Sequence, residues 1–468
     1  MIKTALVIVP HPDDEINLAG GLFPFMHEND IQCTVVFCTN GDSDPLYAKK
    51  RYLEVLKAKA VLRYDDVVFL GYGDGLNISH IYDLPDNDIA VSTCGKIETY
   101  STGNTPEYCF QKEHIHRKYT RSNLKNDIKS VVLDKLADLI ICVDNDCHYD
   151  HRCVSLLFDE AIGEILKCNH NYRPLILKGF AYMGTWAGID DFFTTWIQPV
   201  HPTVDGKSYD EACVYPYLWS ERVRIQNHKC STTMKLWKNT FLNSILAHLS
   251  QSRYASANDN AFTKFSRIAN PESCYWYRRV DNLCLNATIS VTSGELGSLN
   301  DFKLADTISI GYENFYDKEI GWKPDENDLR KEVIINFGVK RKLKLIKIYQ
   351  GVRTRIEEID ISTIEGETIH YINPTPDISV VKIILNLQTV ELKLKFHSTD
   401  RICIHEIECF DSLDKKEWLF SPFIQYVDRR ERNPIIITKV FGYLYHIISY
   451  YLILIKKIPI KIKLILKK

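Results

Sequence analysis

The stretch VIVPHPDDEINLAGG, residues 7–21, is the feature that most limits what this chain can fold into. It begins with the β-branched residues typical of a buried strand and then places a histidine, a proline and three consecutive acids directly after them. Carboxylates crowded at the end of a buried strand repel one another, and their burial is costly unless a positive charge lies beside them. The neighbouring sequence supplies no such charge, so it has to come from elsewhere.

Strand-like and helix-like segments alternate along the first part of the chain. A helical segment over residues 47–64 presents Leu53, Leu56 and Ala60 on one face, and a second is predicted over residues 234–251. The predicted strands are Ala5–Val9, Cys33–Cys38, Val67–Gly71, Leu139–Val143 and Pro174–Tyr182. This alternation is typical of an α/β fold, and we predict a Rossmann-like, mostly parallel sheet in a domain of residues 1–280.

Two polar clusters follow predicted strand ends: residues 11–15, and DNDCHYDHR at residues 144–152. Ligands of open parallel sheets bind beyond the carboxyl ends of the strands, so we expect the two clusters to meet. Two histidines and one carboxylate suffice for a catalytic zinc site, and of the adjacent Asp13 and Asp14 one would bind the metal while the other acts as a base. The alternative is that these acids only complement helix dipoles.

The order PHPDDE, TNGD, RYLE, FLGYGDG, DNDCHYDHR and ILAHLSQ resembles the PIG-L/LmbE-like family of metal-dependent N-acetyl-sugar deacetylases over residues 1–280. The resemblance implies His11, Asp14 and His151 as ligands of zinc, although histidine and carboxylate ligands also accept other divalent metals. It implies Asp13 as the base that activates the attacking water. Zinc chemistry suits amide hydrolysis because the metal lowers the pKa of water to about 7.

The same resemblance assigns further residues. His148 would stabilise the oxyanion and protonate the leaving amine, and Asp150 would orient a histidine. The positions that hold sugar hydroxyls would be Arg51 and Asp74, with Asp42 and His248 as weaker candidates. Simpler roles remain open: Arg51 and Glu54 as a salt bridge within a helix, Asp74 as a turn residue between glycines, and His248 as a core histidine.

From about Cys284 the sequence changes to short strands separated by turns: NATISVTS, KEVIINFG, KLIKIYQGV, ISVVKIILNL, VELKLKFHS and ICIHEIECFD. We predict an all-β sandwich over residues 284–411, which resembles discoidin-like and carbohydrate-binding β-sandwiches. Such a fold does not settle function, and a structural or weakly glycan-contacting role is favoured.

Residues 433–468 contain seven lysines and no acid. The polar stripe at Lys439, Gly442, His446, Ser449, Ile453 and Lys456 follows steps of three and four, which predicts a basic amphipathic helix. We expect it to lie on an anionic membrane surface, with packing on the protein itself as the alternative. The apolar run is short and contains His446, which disfavours a transmembrane helix.

These features favour a cytoplasmic enzyme held at the cytoplasmic face of the membrane. The 14 cysteines lack the clustered spacing of a disulfide framework, and the apolar run before Pro10 is too short for a secretory signal. We expect zinc-dependent hydrolysis of the acetamide of an N-acetylhexosamine in a glycoconjugate or in a lipid-linked or polysaccharide precursor. The alternatives are an amidase of thiol-sugar conjugates and a glycan-binding protein with an inactive catalytic domain. No nucleic acid partner is expected, because no phosphate loop or basic aromatic stripe precedes the tail.

Overall fold

The computed structural model describes residues 2–43, 46–75, 81–144, 148–181, 203–204, 207–208, 223–233, 235–253, 272–297, 299–305, 320–351 and 354–414. These residues form an α/β sheet of mostly parallel strands and a separate antiparallel β-sheet domain, so the fold class predicted for both parts is confirmed. The predicted basic tail, residues 433–468, lies outside the described residues. Among the helices that are described, none combines the length and apolar character needed to cross a bilayer.

Nine strands and nine helices are described in the α/β part. The strands are β1 (Thr4–Val9), β2 (Gln32–Thr39), β3 (Asp66–Tyr72), β4 (Leu139–Val143), β5 (Leu175–Gly179), β6 (Thr203–Val204), β7 (Lys207–Ser208), β8 (Val223–Gln226) and β9 (Glu272–Arg278). The helices are α1 (Asp14–Ala19), α2 (Phe23–Glu28), α3 (Ala48–Leu62), α4 (Tyr108–Glu113), α5 (Arg121–Lys135), α6 (Tyr149–Cys168), α7 (Lys229–Thr232), α8 (Thr240–Ala247) and α9 (Leu249–Arg253).

The main sheet has the strand order β3-β2-β1-β4-β5-β9-β8. Neighbours among β1 to β5 pair in parallel, and β9 runs antiparallel to both β5 and β8. The five strands predicted from the sequence correspond to β1–β5. They are readable because a parallel sheet is covered on both faces and its strands are continuous apolar runs, as in β4, where all five residues are buried.

Helix α3 presents a different face to the core from the one predicted. Leu53 and Leu56 are 49% and 41% exposed, while Val55, Ala58 and Leu62 are buried. The prediction was wrong because the inward face also carries charged residues, including Arg51, so apolar spacing alone selected the outer side.

The helix predicted over residues 234–251 is interrupted. Helix α8 ends at Ala247, His248 has a non-helical backbone, and α9 begins at Leu249. The interruption places the His248 ring in the interior, where it is 1% exposed.

The antiparallel domain contains six strands: β10 (Thr288–Val291), β11 (Glu332–Gln350), β12 (Glu358–Thr363), β13 (Thr368–Ile372), β14 (Val380–His397) and β15 (Ile404–Phe410). They form one hydrogen-bonded sheet in the order β10-β11-β14-β12-β13, with β15 paired to the second half of β11. Four segments predicted as separate strands join pairwise into β11 and β14, which stay paired across a register shift between Asn336 and Arg341. The β12–β13 hairpin was not predicted.

The two domains share a buried junction. Phe302, from the connection between β10 and β11, is fully buried and belongs to the hydrophobic core of the α/β part. The Arg278 guanidinium lies 4.1 Å from the Phe302 ring centroid, and Lys303 Nζ lies 2.9 Å from Glu160 Oε1 on α6. The backbone of Asp301 crosses α6 at Gly163, where a side chain would collide with it.

We expect Gly163→Ala to destabilise the protein by about 1–3 kcal/mol, as overpacking of a core does. An ideal Cβ at this position would lie 2.5 Å from the backbone oxygen of Asp301, so the junction would have to shift. Urea denaturation of the full chain measures the change. At an unconstrained helix position the same substitution stabilises by about 0.5–1 kcal/mol, so a gain in stability would contradict the packing described here. Asn126→Ala on the exposed face of α5 is the control, and no loss is expected there.

Candidate metal centre and active site

The polar clusters converge because their parallel strands end at one edge of the sheet. Strand β1 is central, with β2 on one side and β4 on the other, and the register aligns Val9 with Phe37 and Ile8 with Cys142. Residues 11–15 therefore leave the sheet next to the segment that follows β4. The polar residues of DNDCHYDH from His148 onward occupy the start of α6, while residues 145–147 lie outside the described residues.

Four of the predicted site residues form one buried hydrogen-bonded group. Asp14 Oδ2 lies 3.1 Å from His11 Nδ1 and 3.2 Å from His151 Nε2. On the other side of the His11 ring, Nε2 lies 2.9 Å from Asp150 Oδ2. Asp150 also accepts a hydrogen bond from the backbone N–H of Gly75, at 2.9 Å, so its position is fixed from the β3 side of the site as well.

The charges in this group support one another. Burial acts to lower the pKa of His11, but hydrogen bonds to Asp14 and Asp150 raise it well above its usual value. Burial acts to raise the pKa of Asp14 and Asp150, but the nearby histidines outweigh it, holding the pKa of Asp14 well below its usual range and that of Asp150 at about 2. Both carboxylates are therefore ionised at neutral pH, and the imidazoles beside them are their positive partners in this structure.

The donor set fits a divalent metal. Two ligands of one tetrahedral zinc, each bound at about 2.0–2.1 Å, lie about 3.3 Å apart, which is close to the two separations measured from Asp14 Oδ2. The hydrogen bond from His11 Nε2 to Asp150 is the contact by which a carboxylate orients a metal-binding imidazole. Among the described residues, His11, His148 and His151 also form a group whose ring nitrogens lie within 4.8 Å of one another.

His148 differs from the other two histidines in its bonding. It precedes the first turn of α6, and its Nδ1 accepts the backbone N–H of Asp150 at 3.2 Å. In the neutral ring the proton then lies on Nε2, which suits a hydrogen-bond donor better than a third ligand. Its ring centroid is 4.8 Å from that of His11 and 4.7 Å from that of His151, so it borders the same centre.

Asp13 has an unusual backbone and a cationic partner. Its φ of 110° lies in a region that residues other than glycine rarely adopt. Arg51 Nη2 lies 2.9 Å from Asp13 Oδ1 and also donates to the backbone oxygen of Pro12. Arg51 is 4% exposed and bonded to the loop of Asp13, whereas Glu54 bonds to Ser250, so the alternative of an Arg51–Glu54 salt bridge is not observed.

Asp74 and Asp42 form a second layer beside Arg51. Asp74 Oδ1 accepts the Thr39 hydroxyl at 2.6 Å, and Asp74 Oδ2 lies 3.5 Å from Arg51 Nη1. Asp42 is fully buried; its Oδ1 accepts the backbone N–H of Asp74 at 2.6 Å, and its Oδ2 accepts the Tyr100 hydroxyl. The structure thus places Asp74 at the site and Asp42 behind it, and their contact with sugar hydroxyls stays a prediction.

His248, which lies 233 positions after Glu15 in the sequence, is linked to the site through this glutamate. Its Nε2 lies 2.9 Å from Oε1 of Glu15, a fully buried residue. Glu15 Oε2 accepts the backbone N–H of Asp13 at 2.8 Å. Sequence reasoning noticed Glu15 only as the third acid of its cluster, although an acid among the apolar residues at the start of α1 was an available signal. Thr39, which donates to Asp74, stands in the TNGD motif but was assigned no role.

Residues 6–162 match the family model of PIG-L, described as GlcNAc-PI de-N-acetylase, so the chain contains a PIG-L family domain and the predicted resemblance is confirmed there. No curated protein matches the sequence. Similar solved structures include an N,N'-diacetylchitobiose deacetylase from Pyrococcus horikoshii, 17% identical, covering 42% of this chain and 67% of that one with a TM-score of 0.27. Another is CpGH89CBM32-6 produced by Clostridium perfringens, 20% identical, covering 28% of this chain and 99% of that one with a TM-score of 0.22.

The ligand set can be tested by metal content. We expect Asp14→Ala and His151→Ala each to lose stoichiometric zinc after dialysis, because each removes one of three donors, whereas His148→Ala retains it. Mass spectrometry of the dialysed protein, with a competing chelator to rank affinities, makes the measurement. Loss of zinc from His148→Ala together with retention by Asp14→Ala would instead assign the three histidines as the ligands.

Proposed function

We propose that the chain is a zinc-dependent deacetylase that hydrolyses the acetamide of an N-acetylhexosamine carried by a glycoconjugate. One observation carries the proposal: within the PIG-L domain, the donor group of His11, Asp14 and His151 lies beside an oriented carboxylate, Asp13. Amide hydrolysis needs these elements together, because water is a weak nucleophile and an amine is a poor leaving group.

Each residue at the site has a proposed role. His11, Asp14 and His151 hold the metal, which when bound supplies Lewis acidity toward the acetamide and toward water. Asp13 accepts the proton of the attacking water, with its carboxylate aimed by Arg51. Asp150 keeps the His11 ring in place through Nε2.

His148 acts on the other side of the reacting amide. With Nδ1 bonded to the start of α6, the neutral ring carries its proton on Nε2. The ring borders those of His11 and His151, and in the proposed reaction Nε2–H donates to the oxyanion that develops on the acetyl oxygen. The proton that Asp13 takes from the attacking water passes to the leaving amine, which departs as the free amino sugar while the acetyl group leaves as acetate. Arg51 and Asp74 supply the groups that bond sugar hydroxyls.

The carrier of the sugar and the location of the enzyme are further parts of the proposal. The lysine-rich sequence 433–468 supports attachment to an anionic cytoplasmic membrane surface, and this in turn suits a lipid-linked sugar or a surface polysaccharide precursor. The antiparallel domain is proposed to be structural or to make weak glycan contacts.

Acetate release from a panel of N-acetylhexosamine conjugates tests the activity. We expect release by the zinc-loaded wild type, loss on chelation, recovery on adding zinc, and a fall of about 10²–10⁴-fold in kcat for Asp13→Asn, since general-base catalysis contributes about that much. The matched control is Asp138→Asn at the opposite edge of the same sheet, where the carboxylate accepts the backbone N–H groups of Lys3 and Thr4 at the start of β1. Cleavage of a thiol-sugar amide without acetate release would favour the conjugate amidase. If the zinc-loaded protein cleaved neither class of substrate, the proposed activity would be contradicted.

Membrane attachment has its own test with the full chain. We expect co-sedimentation with vesicles containing phosphatidylserine and little with pure phosphatidylcholine, falling as salt rises, because about 1 kcal/mol of attraction per lysine is screened by ions. Lys456→Glu together with Lys457→Glu should weaken it, whereas Lys340→Glu in the antiparallel domain should not. Binding that is equal on both vesicle types would contradict an electrostatic attachment.

A further inference from the structure

We propose that Glu15 and His248 form a buried pair that positions Asp13, so that His248 acts on the reaction through Glu15 and not by contact with the sugar. This rests on the proposed function, in which Asp13 is the base. It also departs from the substrate-contacting role that the resemblance assigns to His248.

The need for positioning arises at Asp13 itself. Its backbone, with φ of 110° and ψ of −19°, is one that a residue with a side chain does not hold unless its surroundings impose it. The carboxylate direction depends on this backbone, since Asp13 has only two side-chain torsions beyond it. Whatever holds the Asp13 peptide therefore sets where the base points.

Glu15 holds the Asp13 peptide through a side-chain hydrogen bond. Its Oε2 accepts the backbone N–H of Asp13 at 2.8 Å. The two residues are only two positions apart, so this short-range hydrogen bond constrains the unusual backbone conformation of Asp13. Glu15 is 0% exposed, and water therefore does not compete for this bond. A buried carboxylate with one oxygen so engaged requires a donor for the other.

His248 is that donor. Its Nε2 lies 2.9 Å from Glu15 Oε1 although the two residues are 233 positions apart, and the interruption between α8 and α9 is what aims the ring. The opposite nitrogen, Nδ1, has no hydrogen-bond partner within the described residues. The proton therefore belongs on Nε2, where it meets the carboxylate. At 1% exposure the ring is closed off from a sugar in the site.

Ser250, close to His248 in the sequence, makes a contact that supports the second constraint on Asp13, its ion pair with Arg51. Ser250, two residues after His248, donates its backbone N–H at 2.8 Å and its hydroxyl to the buried carboxylate of Glu54. Glu54 lies one turn along α3 from Arg51, whose guanidinium binds Asp13 Oδ1. Residues 248–250 thus anchor both the peptide of Asp13, through Glu15, and the helix that carries its cation.

The test combines kinetics with hydrogen exchange. We expect His248→Ala to lower kcat by about 10- to 100-fold with KM changed less than 2-fold, because a small misplacement of a catalytic group costs about that much. We expect amide exchange in a peptide covering residues 11–16 to become faster. His248→Gln should restore most of the rate, since its amide N–H can donate to Glu15.

The matched control is His228→Ala, which breaks another histidine–glutamate pair away from the site, that of the buried His228 with the exposed Glu28, whose Oε2 lies 3.0 Å from His228 Nε2. It should leave kcat and the exchange of residues 11–16 unchanged. A raised KM with unchanged kcat in His248→Ala would overturn the proposal in favour of substrate contact, and so would unaltered exchange or an equal loss in His228→Ala. If the zinc-loaded wild type released no acetate from any substrate, the deacetylase would fail while the exchange arm still decided the positioning role.

Discussion

The structure depends on how it neutralises the carboxylates buried at the carboxyl edge of the parallel sheet. The buried Asp14, Asp74 and Asp150 and the partly buried Asp13 converge there because strands β1, β3 and β4 end at the same edge of the sheet. Burying ionised carboxylates is strongly unfavourable unless each finds a donor. Arg51 pairs with Asp13 and Asp74, and imidazoles pair with Asp14 and Asp150. The same donor group also fits a divalent metal.

This constraint explains where sequence reasoning succeeded. The apolar runs of β1–β5 were readable because the sheet is covered on both faces, and the position of the two polar clusters followed from parallel topology alone. The family resemblance implied His11, Asp14 and His151 as a set, and the structure brings the three together, while their role as metal ligands stays a prediction. The spacing of residues in the sequence did not predict which acid contacts which histidine. The contact between His11 and Asp150, which are 139 positions apart, is evident only from the structure.

The same constraint explains where it failed. The inward face of α3 was assigned to Leu53, Leu56 and Ala60 because amphipathic helices ordinarily bury their leucines. Here the inward positions include Arg51, which bonds Asp13, and Glu54, which accepts from Ser250, so buried polar contacts replace part of the usual apolar pattern. In the second domain the turn-like residues near Gly338 mark a register shift inside one long strand, and local sequence does not distinguish such a shift from a turn.

Helix α6 connects the chemistry to the rest of the molecule. Its first turn carries Asp150 and His151, and Gly163, about 18 Å further along at 1.5 Å per residue, receives the backbone of Asp301. The PIG-L match ends at residue 162, yet the sheet continues through β5, β9 and β8, and its hydrophobic core includes Leu285 and Phe302. A cut at the end of the match would expose that core and remove the histidine that bonds Glu15. The segments after residue 162 are therefore part of the folding unit that shapes the site, and the antiparallel domain is joined to this unit by apolar burial as well as by chain connection.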